Sequence, residues 1–167
     1  MGDGREPSAN PLIHSLERQF ARLHQLSTDF VRIVPREILY AQPREVSSLF
    51  PGYSCGEHIL RSGAVVEQTF GGLTANLWDD PFEWTLPEAL RSPESVAEYL
   101  KEVEETRSRG FALFREDADL LKEVALPSGA PDVLCWLLFD TLRRAAHHQG
   151  RAFATFRQLS DDRLPQI

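Results

Sequence analysis

Cysteine is scarce in this chain: there are two among 167 residues, Cys55 and Cys135. Their separation fits neither a CxxC motif nor a metal-finger pattern, so no redox motif or thiolate zinc site can be read. Both lie among apolar residues on predicted helices, where buried thiols are common, which points to a reducing compartment. Positive charge is short as well. Lys and Arg number 18 against 25 Asp and Glu, a formal net charge of −7. That balance repels polyphosphates and anionic lipid, so neither a nucleic-acid partner nor a membrane surface is expected. No apolar run reaches the roughly 20 residues a membrane helix needs, and Met1 to Asn10 is polar with mixed charge rather than a signal peptide. A cytoplasmic location is the expectation. Glycine-rich phosphate loops, nucleophile elbows, a Ser/His/Asp arrangement, internal repeats and low-complexity tracts are all missing.

What is present is enough apolar volume for one domain. The chain is 42% hydrophobic with 10 Phe and 3 Trp, and a domain of this length buries about 70% of its unfolded surface. Four amphipathic segments account for most of it. The first opens at Asn10-Pro11, an N-cap followed by proline at the first helical position. It sets Leu12, Leu16, Phe20, Leu23 and Phe30 at helical spacing and ends before Pro35. The stretch from Pro35 to Tyr53 is broken by prolines and reads as a connection with a helical turn or two. Ser54 caps a second helix over about Cys55 to Trp78, facing inward with Ile59, Val65, Val66, Phe70, Leu73 and Leu77. Gly63, Gly71 and Gly72 weaken it and allow close contact or a bend. The aromatic loop Asp79 to Trp84 is expected to fold over one end.

Ser92-Pro93-Glu94 carries a hydroxyl cap, a proline and an acid at the positive end of the helix dipole, and starts a third helix to about Glu116. After the break Pro127 to Pro131, a fourth runs from about Asp132 to Leu159. With no long strand-like alternation, the pattern predicts an all-α, up-and-down four-helix bundle over residues 11–159, between a flexible N-terminus (1–10) and a tail (160–167). Trp136, Phe139, Phe153 and Phe156 are read as one packed aromatic stripe, and His14 and His24 as solvent-exposed. Cys55, at a helix start, has the position of an activated thiol, although a buried inert one is expected.

The segment with the most chemistry is His147-His148-Gln149-Gly150-Arg151. A helical H-x3-H metal site needs two imidazoles one turn apart, yet Arg144 stands four residues before His148. Together with Pro51-Gly52-Tyr53-Ser54 at the second helix and the acid-rich helix from Val96 to Phe114, this run resembles the DinB family of DinB/YfiT-like metalloenzymes over nearly the whole chain. Pro-Gly-Tyr-Ser is similar to that family's Pro-Gly-Trp-Ser, and His-His-Gln-Gly-Arg to its His-His-Arg-Gly-Gln. The resemblance implies the bundle fold, homodimerisation through bundle faces, and a divalent metal on three histidines. Carried over by position, those ligands fall on Arg61, Arg144 and His148. A guanidinium only donates hydrogen bonds, so two of three positions cannot coordinate a cation.

Three readings of this end follow. In the first, no cofactor binds: Glu57 and Asp140 each stand four residues before an arginine, Glu67 bridges to Arg144, and a network of Arg61, Glu67, Asp140, Arg144 and His148 fastens the helices. In the second, the arginines bind a small anionic ligand bearing carboxylate or phosphate, and the protein is a small-molecule or partner-binding module. In the third, one divalent metal, zinc or nickel, sits on a shifted site of His58 with His147 or His148. The protein is then a metal-dependent hydrolase, with Glu67 as base, or a thiol-dependent S-transferase or isomerase, an activity some relatives have.

Overall fold

A computed structural model describes residues 10–42, 52–81 and 85–166. Four long helices dominate: α1 (Pro11–Ile33), α3 (Cys55–Ala75), α4 (Pro93–Phe111) and α5 (Leu134–Leu159), with a short α2 (Arg36–Leu39) after α1. A 3₁₀ turn (Asp117–Leu121) and a small antiparallel pair, β1 (Glu123–Ala125) and β2 (Pro131–Val133), join α4 to α5. Among the described residues no helix is long and apolar enough to cross a membrane.

The long helices form a ring. Both α1 and α3 pack chiefly against α4 and α5, so the order around the bundle is α1, α4, α3, α5. The connection from α1 to α3 and the hairpin segment from α4 to α5 therefore each cross to a diagonal position. Phe20, Phe70 and Phe111 meet at one level with ring centroids 5.3 to 5.7 Å apart. Phe30 packs on Phe153 and Phe156 at 4.9 and 5.4 Å. Such tilted and edge-to-face contacts add to the burial of these rings.

Several boundaries differ from the sequence reading, each for a local reason. Asn10 does not cap α1 with its side chain; its amide donates to the Arg115 carbonyl at 2.8 Å. The cap comes from 105 residues away, where the Asp117 carboxylate accepts from the Leu12 and Ile13 N–H groups, both at 3.0 Å. The buried stripe runs through Ile13 (5% exposed) while Leu12 is 58% exposed. Helix α3 stops at Ala75, where Asn76 takes a left-handed conformation (φ 55°), leaving Leu77 outside and exposed. Helix α4 ends at Phe111 rather than Glu116, because Asp119 accepts from the Arg115 and Glu116 N–H groups and draws the chain into the 3₁₀ turn. Residues 131–133 pair as a strand, and α5 begins at Leu134.

The aromatic stripe on α5 divides. Phe153 and Phe156 are buried, but Trp136 is 69% and Phe139 51% exposed. At 3.6 residues per turn, the buried Leu138 and Phe156 stand five whole turns apart on one line, and Trp136 and Phe139 lie about 160° and 100° round the helix from it. Of the loop Asp79 to Trp84, residues 82–84 lie outside the described residues, as do residues 1–9 and Pro51.

Two substitutions test this packing. A Cβ at Gly110 would collide with the buried Phe70 ring, so Gly110→Ala should cost about 1–3 kcal/mol by urea denaturation even though alanine favours helix. Asp117→Ala should cost about 1–2 kcal/mol in the same assay, the usual worth of an N-cap.

Candidate functional site

The start of α3 is built by a capping box. Ser54 Oγ accepts from the Glu57 N–H at 3.2 Å, and Glu57 Oε2 accepts from the Ser54 N–H at 2.7 Å. The Glu57 carboxylate also accepts a hydrogen bond from the Ser54 hydroxyl at 2.7 Å, so it serves the helix end. Just before the cap, the Tyr53 ring lies under the Arg61 guanidinium, 4.2 Å from Cζ to centroid, and edge-on to His58 at 5.6 Å. The aromatic face fixes the plane of the guanidinium.

Helix α5 is locked to α3 by buried hydroxyls. Ser62 Oγ donates to the Ala145 carbonyl at 2.9 Å, and the Thr69 and Thr141 hydroxyls share a bond of 2.7 Å. This register brings His58 and His148 face to face, with centroids 6.0 Å apart and planes inclined by 30°. His147 is exposed, its ring 5.7 Å from that of His148. A cavity of about 80 Å³ opens between the helices, lined by Arg61, Val65, Gln68, Asp80, Arg144 and His148.

Both imidazoles are held neutral. Burial, then the positive charges of Arg151, Arg61 and the neighbouring histidines, push His58 down to about 4. Burial, followed by His147, Arg61, Arg151 and Arg144, pushes His148 to about 4 as well. Among the described residues, the buried Nδ1 atoms of both rings have no hydrogen-bond partner. Neutral rings with unmet nitrogens beside cations make this end of the bundle electropositive, with polar valence to spare.

The five residues expected to form one network are spread over two places. Arg61, Arg144 and His148 share the cavity. Asp140 is 3.9 Å from Arg144 but bonds more closely to Arg143, at 2.6 Å. Glu67 does not bridge to Arg144; its Oε2 accepts from the Tyr99 hydroxyl of α4 at 2.7 Å, and burial raises its affinity for a proton. Sequence reasoning overlooked Gln68 and Asp80. Gln68 stands seven positions after Arg61, on the same helical face, which was a usable signal; Asp80 lies in a loop with no periodicity to place it.

Cys55 is fully buried, its thiol donating to the Leu39 carbonyl at 3.4 Å, and burial pushes it up to about 11. It is an inert core thiol. His24 is half-buried rather than exposed, and burial lowers its affinity for a proton. His14 is exposed, as read.

A divalent metal does not fit the donors that this end offers. Arg61 and Arg144 present guanidiniums, which cannot coordinate a cation, and among the described residues no three His, Cys, Asp or Glu side chains form a group able to hold a metal ion.

Comparison with solved structures identifies the fold. The chain is similar to a DinB-like protein from Bacillus cereus ATCC 10987, with a TM-score of 0.72 at 14% identity, covering 93% of this chain and 97% of that one. It is also similar to a protein provisionally assigned to the DinB family from Exiguobacterium sibiricum 255-15, with a TM-score of 0.65 at 16% identity, covering 91% and 95%. No protein-family model matches the sequence, and no curated protein matches it. The architecture is thus the DinB-like all-α bundle.

The depressed histidines predict a pH dependence. In the unfolded chain His58 and His148 take up protons below about 6.5, whereas in the fold they do so only near 4. Their contribution is complete above pH 6.5 and is lost as pH falls toward 4, while Glu67, shifted upward by burial, acts in the opposite sense. Denaturation at a series of pH values should show this decline, and His58→Phe should make it shallower by the His58 share while the His148 share remains.

Proposed function

We propose that the cavity between α3 and α5 receives the carboxylate or phosphate of a small molecule, and that the protein is a binding module for such ligands. The observation that carries this is the cavity of about 80 Å³ holding Arg61 and Arg144 on facing helices. A water needs roughly 10–15 Å³ on this measure, so a carboxylate- or phosphate-sized group has room. Two guanidiniums against Asp80, with His148 neutral, leave one positive charge in excess at the lining. Tyr53 orients the Arg61 fork, and Arg144 is held only loosely by Asp140 at 3.9 Å. A bound anion would also offset the potential that disfavours protons on both imidazoles.

The alternative is a metal-dependent hydrolase, or a thiol-dependent transferase or isomerase, on a shifted site. It draws on the neutral His58 and His148 rings facing each other. It lacks a third donor, since His147 is exposed and Glu67 is engaged by Tyr99.

Calorimetric titration with inorganic phosphate and with hexanoate tests the first reading. Arg144→Gln should weaken binding about tenfold, the worth of one charge-assisted hydrogen bond; unchanged affinity would sink it. Elemental mass spectrometry after equilibration with zinc or nickel tests the second. The wild type should hold no stoichiometric metal, and Arg61→His combined with Arg144→His should gain one equivalent by completing three imidazoles with His148.

A further inference from the structure

The arginine cavity has a neighbour. Along α3 the positions Arg61, Val65, Gln68, Gly71 and Ala75 recur every three or four residues and so form one stripe down the helix. The first three line the cavity already described, and the last three line a second one of about 270 Å³. Gln68 belongs to both walls, its Nε2 donating to the Trp78 carbonyl at 3.0 Å. The facing walls differ: α5 supplies Arg144 to the first cavity, and α4 supplies Thr106 and Arg109 to the second.

Their charges differ in sign. The first has Arg61 and Arg144 against Asp80; the second has Glu67 and Asp79 against Arg109. Arg109 also donates to the Thr106 hydroxyl at 3.0 Å. Glu67 is half-buried, and while Oε2 accepts from Tyr99, Oε1 bonds to none of the described residues. A half-buried carboxylate with an open oxygen at a cavity wall suits an ammonium group, which restores by pairing what burial removed in hydration.

We propose that the two cavities are one cleft for a zwitterionic chain molecule of the ω-amino carboxylate type, its anionic end at Arg61 and Arg144 and its ammonium at Glu67 and Asp79. This rests on the first cavity being an anion site and adds the second anchor. From Val65 to Gly71 the stripe advances roughly 9 Å at 1.5 Å per residue, which sets the separation of charges the ligand must carry. Simple carboxylates and simple amines each satisfy one end.

Calorimetry with aminohexanoate, hexanoate and hexylamine decides it, extended to chains from aminobutyrate to aminooctanoate. Aminohexanoate should bind about tenfold tighter than hexanoate, one charge-assisted contact more, and affinity should pass through an optimum with chain length. Glu67→Gln should remove that advantage and leave hexanoate binding unchanged. Asp79→Asn, at an exposed residue, should reduce it in the same direction and stands in if the Glu67 variant does not fold. Equal affinity for aminohexanoate and hexanoate, with both weakened by Arg144→Gln, overturns the second anchor and leaves the anion site standing. An amine advantage indifferent to both acidic substitutions also overturns it. Failure of phosphate and of every carboxylate to bind overturns both readings.

Discussion

The seam between α3 and α5 governs the rest of the molecule. Ser62, Thr69, Thr141 and Ala145 are all at most 5% exposed, and their hydroxyls and carbonyls are bonded to one another across the two helices. Buried hydroxyls must have partners, so sliding one helix along the other by a turn would take the Ser62 hydroxyl off the Ala145 carbonyl at a cost of about 1–3 kcal/mol, while Thr69 and Thr141 would fall back on the Val65 and Leu137 carbonyls of their own helices. Small residues also let the backbones approach closely enough for side chains beyond the seam to meet. With the register held, His58 lies level with His148, and Arg61 and Arg144 open onto the same space.

That arrangement concentrates positive potential in a half-buried site. Two permanent cations beside two neutral rings repel a further cation and attract an anion. The protein compensates in part, with Tyr53 under Arg61 and Asp80 at the lining, but neither buried Nδ1 atom meets a partner among the described residues. The neighbouring cavity has the complementary excess, with Glu67 drawn toward Tyr99 rather than toward the arginines. The fold is shared with DinB-like proteins of 14% and 16% identity, and a shared fold does not by itself set the chemistry of a lining.

Much of the framework was legible in residues alone. The Ser54 and Ser92 caps are where the hydroxyl-first pattern places them, each with a reciprocal bond from the third helical residue. That Arg61 and His148 would fall within reach of Arg144 was legible in part, since their spacing on two helical faces is enough to bring them to one cavity. The network drawn from that spacing was not, because Glu67 and Asp140 had other neighbours to choose from. Glu67 found the Tyr99 hydroxyl, and Asp140 the closer Arg143. The inner stripe of α5 was misjudged at its first turn, where Trp136 and Phe139 face outward.

By itself, the sequence determined the helical segments, most of their ends and the presence of guanidiniums that donate but cannot accept at this end of the bundle. These depend on interactions within one turn, through caps, prolines and the 3.6-residue period, or on the fixed chemistry of a side chain. Tertiary structure decided the order of helices around the ring, the capping of α1 by the distant Asp117, the division of charges between two cavities, and which aromatics reach solvent. The physical reason is that a long charged side chain or an amphipathic face has several admissible partners. Only the packed neighbours, by what they bury and what they leave open, select among them.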